Sequence, residues 1–191
     1  MSSMSSILYL HGFASSPASW KVRELSNALK ARGQGYRLIC PALSTVPNEA
    51  IAQAEAIIES RVGPLTLIGS SLGGYYATWL AEKHLLRAAL INPAVAAPAS
   101  LEKYLGPQTN LHTGAPFEFT EAHLAQLRAL EAPKITPGRY FLMVETGDEV
   151  LDYRKAVQRY EGCRQAVFEG GDHSFTRFPE MVPQLLEFCG L

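Results

Sequence analysis

The sequence predicts an α/β fold: a mostly parallel sheet of about six strands with helices packed on both sides. Two observations carry that prediction. Short apolar runs of strand length recur without the polar alternation of a half-exposed sheet, so their residues are buried on both faces. Between them lie helix-length stretches with an apolar stripe, and strand–helix–strand repetition along one chain builds parallel sheets through right-handed crossovers.

The strand runs are "ILYLHGF" (7–13), "RLIC" (37–40), "PLTLIGS" (64–70), "AALINPAV" (88–95), "YFLMVETGD" (140–148) and "QAVFEGG" (165–171). Helices are predicted over 17–32, opened by Pro17, and over 47–61, where Ala50, Ile51, Ala54, Ile57 and Ile58 share a stripe and Glu55 and Glu59 lie off it. Further helices are expected at 72–84, 151–161 and 178–189. One interval breaks the rhythm. Between Asn92 and Arg139 the chain is proline-rich and far longer than one crossover needs, with helical pieces near 98–105 and 120–131. Long insertions after a strand's C-terminal end carry lids and specificity elements, so 96–135 reads as a small cap within one domain spanning 1–191.

Composition narrows the function classes. At 191 residues, 47% hydrophobic and 18% charged, the chain is globular and large enough to bury a core. A formal net charge of -1 gives no electrostatic reason to bind nucleic acid or an anionic membrane. No apolar run reaches the roughly 18 residues of a membrane span. "MSSMSS" has neither the basic nor the apolar region of a signal peptide and reads as a frayed start with a second initiator at Met4. Cys40, Cys163 and Cys189 are odd in number, widely spaced and in apolar context; they read as reduced, buried thiols of a cytoplasmic protein.

The chemistry is concentrated in "LTLIGSSLGGYYATWLAEKH" (65–84). Gly69-Ser70-Ser71-Leu72-Gly73 is G-x-S-x-G between a predicted strand and a predicted helix, the context of a nucleophile elbow. The pentapeptide alone also fits a tight turn packed by glycines. Its partners decide. A serine hydroxyl needs a base to take its proton, and the base needs a carboxylate to fix its tautomer. In this arrangement the order is Ser, then Asp or Glu, then His, each on a loop after a strand. Asp148 in "VETGDEV" and His173 in "EGGDHSF" satisfy both conditions. Glu145 falls inside a strand, Glu149 and Asp152 read as the first turn of the next helix, and Asp172 adjoins His173 but points away from it. "LYLHGFASSP" matches an H-G-containing oxyanion loop, which offers the backbone N–H of Phe13 opposite that of Leu72, with His11 bracing the loop. His84 reads as meeting a helix C-terminus, and His112 and His123 as exposed. A metal reading would need His11, Asp172 and His173, but no metal-ligand spacing joins them.

Together "LYLHGFASSP", "IGSSLGGYYATWLAEK", "INPAV", "YLG", "TGDEVLDYR" and "EGGDHSFTRF" give the chain a resemblance to the small bacterial YqiA-type esterases of the α/β-hydrolase superfamily, from about Ile7 to the C-terminus. The resemblance implies a compact α/β-hydrolase fold without the leading antiparallel strands. It also implies hydrolysis of carboxylic esters, with Ser71 as nucleophile, Asp148 as orienting acid and His173 as base. The expected substrate is a small acyl ester or thioester of short to medium chain, with no cofactor. Leu101, Tyr104, Leu105, Phe117, Phe119 and Leu124 are candidates to line an acyl pocket or to anchor the cap. Another serine-triad enzyme, a peptidase or acyltransferase, or a non-catalytic binding protein on the same fold are the alternatives.

Overall fold

The structure is a computed structural model that describes residues 5–191; the second initiator and the first four residues of the proposed frayed start lie outside them, while Ser6 of that stretch is not frayed but buried at the start of the first strand. Among the described residues fifteen strands and α-helices follow in chain order. They are β1 (Ser6–Leu10), α1 (Trp20–Ala31), β2 (Leu38–Ile39), α2 (Pro47–Ser60), β3 (Leu65–Ser70), α3 (Leu72–His84) and β4 (Arg87–Ile91). Then come α4 (Ala97–Leu101), β5 (Gly106–Thr109), β6 (Pro116–Phe119), α5 (Glu121–Ala129), β7 (Tyr140–Glu145), α6 (Tyr153–Arg159), β8 (Arg164–Phe168) and α7 (Phe178–Phe188).

Six strands form one sheet in the order β2-β1-β3-β4-β7-β8. Every pair in it is parallel. Alternation along each strand feeds two cores. Leu8 and Leu10, Leu67, Ala88 and Leu90, and Leu142 and Val144 face the side covered by α2 and α3. Ile7 and Tyr9, Ile68, Ala89 and Ile91, and Phe141 and Met143 face the side covered by α1 and α7. Both faces are therefore apolar, which is why the strands read as continuous hydrophobic runs. Among the described residues no helix is long and apolar enough to cross a membrane.

The elements depart from the sequence reading at two places. Helix α1 begins at Trp20, not at Pro17: the Ser16 hydroxyl accepts the Ala18 N–H (3.0 Å) and its carbonyl the Ser19 N–H (3.1 Å), so 16–19 is a turn closed by its own serine. The insertion between β4 and β7 also contains an antiparallel hairpin, β5 with β6, that none of the six strand runs covers. Each of its four-residue strands carries a proline, and at that length period-two patterning has no statistical weight. Leu124 and Leu127 of α5 are fully buried, and the Leu127 carbonyl accepts the Tyr75 hydroxyl of α3 (2.8 Å), fastening the insertion to the sheet's helical layer.

The junction of β3 and α3 sets how closely these layers approach. A Cβ on Gly69 would overlap the Gly73 carbonyl, and one on Gly73 would overlap the Leu10 carbonyl of β1. One on Gly74 would fall 2.6 Å from the Pro93 Cβ. Glycine in a helix costs about 1 kcal/mol against alanine, whereas forcing an extra methyl into a packed site costs about 1–3 kcal/mol, so glycine wins here. Gly73→Ala is expected to destabilise the protein by about 1–3 kcal/mol despite its better helix propensity, read as a lower midpoint in urea unfolding; an unchanged or higher midpoint would show that α3 does not depend on this approach.

Candidate active site

The short β3–α3 turn holds Ser71 at φ 53°, ψ -120°, a left-handed backbone that a side-chain-bearing residue adopts only when its surroundings impose it. Those surroundings are specific. The Ser71 N–H donates to the Ile91 carbonyl at the end of β4 (3.1 Å), and the Ser71 carbonyl accepts the N–H groups of Gly74 (2.9 Å) and Ala94 (3.0 Å). The turn lifts the hydroxyl off the C-terminal edge of the sheet. Gly12, after β1, lies against it: a Cβ there would sit 3.2 Å from the Ser71 Cβ.

The loops after β7 and β8 bring the other two predicted residues to the same edge. His173 Nε2 lies 3.1 Å from Ser71 Oγ, and His173 Nδ1 lies 2.8 and 3.0 Å from the two carboxylate oxygens of Asp148. The Asp148 side chain is 2% exposed, and its Oδ1 also accepts the N–H groups of Val150 (2.9 Å) and Leu151 (2.8 Å). A carboxylate only accepts, so its contact favours the tautomer with hydrogen on Nδ1 and leaves Nε2 as acceptor for the serine hydroxyl.

Four further side chains hold the His173 loop, and sequence reasoning gave none of them this role. Glu145, at the end of β7 and 0% exposed, accepts the N–H groups of Asp172 (2.9 Å), Thr176 (3.2 Å) and Arg177 (3.1 Å). Gly171 makes room for it, since a Cβ there would overlap the Glu145 carboxylate. Glu149 accepts the His173 N–H (3.0 Å), so it is part of this network and not of α6. Asn92, buried after β4 at φ 40°, donates to the carbonyls of Asp172 (3.0 Å) and His173 (3.2 Å) and accepts the Glu145 N–H (3.0 Å). Lys21 of α1 donates to the Ser174 carbonyl (2.8 Å). A carboxylate at the end of an otherwise apolar strand was the available signal for Glu145.

The remaining candidates sort plainly. Asp152 caps α6 by accepting the Arg154 N–H (3.1 Å). His11 Nε2 accepts the Leu43 N–H (3.0 Å), tying the loop after β1 to the one after β2, and burial lowers its pKa. His84 ends α3 and pairs with Glu55 of α2 (2.8 Å). His123 accepts the Thr120 N–H at the start of α5 (3.2 Å). Cys189 is buried, while Cys40 and Cys163 are half-buried; burial pushes the Cys40 and Cys189 thiols up to about 12.

Among the described residues the N–H groups of Phe13 and Leu72 have no acceptor. Phe13 is gripped by the insertion: its ring lies 5.6 Å from Tyr104, 5.6 Å from Phe117 and 5.0 Å from Phe119. The Leu111 N–H and the Asn110 side chain donate to the carbonyls of Ala14 and Ser15 (2.8 Å each), pinning the β5–β6 turn over the same loop. A cleft of about 290 Å³ opens beside Ser71 and His173, and Leu111 and His112 are the insertion residues that line it. Leu101 and Leu124 are core residues that anchor the insertion, one of the two roles open to them, while Phe117 and Phe119 border a smaller recess of about 30 Å³ beyond Phe13.

Residues 6–190 match the model of the family described as Uncharacterised protein family (UPF0227). The chain belongs to this family. UPF0227 is the YqiA family, so the motif resemblance and the family match agree. Its fold is that of the α/β hydrolases. A protein from Agrobacterium vitis S4 is similar with a TM-score of 0.76 at 19% identity, over 96% of this chain and 87% of that one. The mouse alpha/beta hydrolase domain-containing protein 10 is similar at TM-score 0.75 and 16% identity, over 100% and 92%. A monoacylglycerol lipase from Paleococcus ferrophilus is similar at TM-score 0.69 and 16% identity, over 96% and 93%.

The network around Glu145 yields a test of the UPF0227 site's scaffold. Glu145→Gln turns one accepting oxygen into an N–H donor that faces backbone N–H groups. It is expected to cost about 1.5–3 kcal/mol of stability in denaturant titration and to raise amide exchange over 172–177. Exchange unchanged in that segment would show that the loop is held by its other partners alone.

Proposed function

We propose that this UPF0227 protein is a serine hydrolase of carboxylic esters, acting through Ser71, His173 and Asp148. The observation that carries the reading is the bridge made by His173, whose two ring nitrogens reach Ser71 Oγ at 3.1 Å and Asp148 at 2.8 Å while Ser71 is held at a positive φ. A structural histidine has no need of a strained, outward-facing serine on its other nitrogen. The fold shared with a monoacylglycerol lipase adds support.

In the proposed reaction His173 Nε2 takes the Ser71 proton as Oγ attacks the ester carbonyl. The tetrahedral oxyanion is received by the N–H groups of Phe13 and Leu72, the latter at the positive end of α3. Asp148 holds the imidazolium that forms. His173 then protonates the departing alcohol, the carbonyl reforms as the acyl-enzyme, and a water activated by His173 releases the acid and returns the proton to Ser71. Thioesters follow the same course with a thiol leaving. These steps need no cofactor. The insertion acts as a cap over one domain, with its β5–β6 turn at the cleft mouth, and the size of that cleft suits short to medium acyl chains.

Ser71→Ala is expected to abolish p-nitrophenyl ester hydrolysis and fluorophosphonate labelling without lowering the unfolding midpoint. Asp148→Asn is expected to lower kcat by about ten-thousand-fold by favouring the wrong tautomer, and Asp172→Asn by far less. Labelling that persists in Ser71→Ala, or a larger loss in Asp172→Asn, would reassign the nucleophile or the acid.

A further inference from the structure

The cleft beside Ser71 has a chemical character that the proposed acyl transfer does not use. Five serines border it, Ser15, Ser19, Ser70, Ser71 and Ser174, together with Lys21 and Tyr9. Among the described residues no carboxylate lines it. Lys21 is only 8% exposed, an unusual burial for an ammonium. Among the described residues it donates to the Ser174 carbonyl alone, leaving two of its three N–H bonds unused. Tyr9, projecting from β1, is 0% exposed, and its hydroxyl, beside the Ser70 side chain, makes no well-formed hydrogen bond among the described residues. Two buried donors with spare capacity thus border one cleft, next to the serine and histidine of the proposed reaction.

An unfilled buried donor is costly, and a buried cation more so, unless a ligand or solvent completes it. Burial lowers the Lys21 pKa to about 8, against the opposing pull of Asp172, Glu145 and Asp148, so the ammonium is charged at neutral pH. Glu145 and Asp148 are committed elsewhere, the one to three backbone N–H groups and the other to His173, while Asp172, whose buried Oδ1 makes no hydrogen bond among the described residues, balances part of the charge without lining the cleft. Burial likewise raises the Tyr9 pKa, so the phenol is a neutral donor.

We infer that the cleft is an anion subsite, in which Lys21 Nζ and Tyr9 Oη hold a carboxylate or phosphate carried by the ester that Ser71 attacks. This inference rests on the ester-hydrolase reading for its place in catalysis, but the binding it requires can be measured without turnover. It names the substrate class: esters with one oxyanion on either the acyl or the alcohol side. A charge-assisted hydrogen bond to a buried ammonium discriminates such a ligand from an uncharged isostere by about ten- to a hundredfold.

The test uses the full chain. On the acyl side, p-nitrophenyl hemiglutarate is compared with the ester in which an isopropyl group replaces the carboxylate. On the alcohol side, acetylated glycerol phosphate is compared with acetylated glycerol. One charged ester is expected to exceed its neutral partner in kcat/KM by about tenfold or more, and Lys21→Met to cut that ratio by about ten- to a hundredfold. Tyr9→Phe, which removes a single hydroxyl and poses no threat to folding, is expected to cut it about three- to tenfold. Equal losses on charged and neutral esters in Lys21→Met, with no change in Tyr9→Phe, would assign Lys21 to holding the His173 loop and overturn the subsite. Calorimetry of monomethyl glutarate and of glycerol phosphate against the Ser71→Ala protein separates the two readings. Binding that Lys21→Met abolishes supports the subsite even if no ester is hydrolysed; neutral-ester turnover with no anion binding leaves the esterase reading standing and sinks the subsite.

Discussion

The site depends on how closely the first turn of α3 is pressed against the ends of β1, β3 and β4. Gly73 touches the backbone of β1, Gly69 the backbone of α3 itself, and Gly74 the proline that follows β4. Only side-chain-free residues permit these contacts. Because the helix enters so close to the sheet, the residue between strand and helix has no extended or helical option, and Ser71 is left at φ 53° with its hydroxyl outward. The same approach lays Gly12 and the loop after β1 against Ser71, and Phe13 of that loop borders one recess with Leu72. Packing density, the outward Ser71 hydroxyl and the proposed oxyanion donors all follow from this one approach.

A second constraint acts from the other side of the edge. His173 sits on a loop, and loops are mobile unless something holds them. Here the backbone of 172–177 is held by Glu145, Glu149, Asn92 and Lys21, which come from three separate segments of the chain. Glu145 contributes most, since one buried carboxylate satisfies three N–H groups that would otherwise be costly to leave unpaired. The loop bearing Asp148 is stitched to the loop bearing His173 by the Gly147 N–H to the Gly170 carbonyl (2.8 Å) and the Gly170 N–H to the Thr146 hydroxyl (2.9 Å). The short contact between Asp148 and His173 follows from that stitching.

What was legible in the sequence was local. The six-stranded parallel sheet follows from apolar runs such as 64–70 and 140–145, and the elbow from glycine spacing within five residues. Asp148 and His173 each directly follow a strand run, so topology alone carries them to one edge. The β5–β6 hairpin was hidden because its strands are short and bear prolines. Glu145 is visible as a carboxylate ending an apolar strand, but its partners, like those of Asn92, lie in 172–177, dozens of residues away, and no local pattern encodes them. Lys21 is the sharpest case. On the amphipathic α1 a lysine reads as a solvated surface charge, and only the packing of that helix against the His173 loop turns it inward.

The central claim is that this geometry makes Ser71 the covalent nucleophile of an acyl transfer. Rapid mixing with a p-nitrophenyl ester, followed by quench and peptide mass mapping, tests it most directly. The predicted result is a nitrophenol burst of about one equivalent per chain with the acyl mass on the peptide at Ser71, and loss of both in His173→Ala. Turnover with no acyl adduct, or an adduct on Ser70, would contradict it.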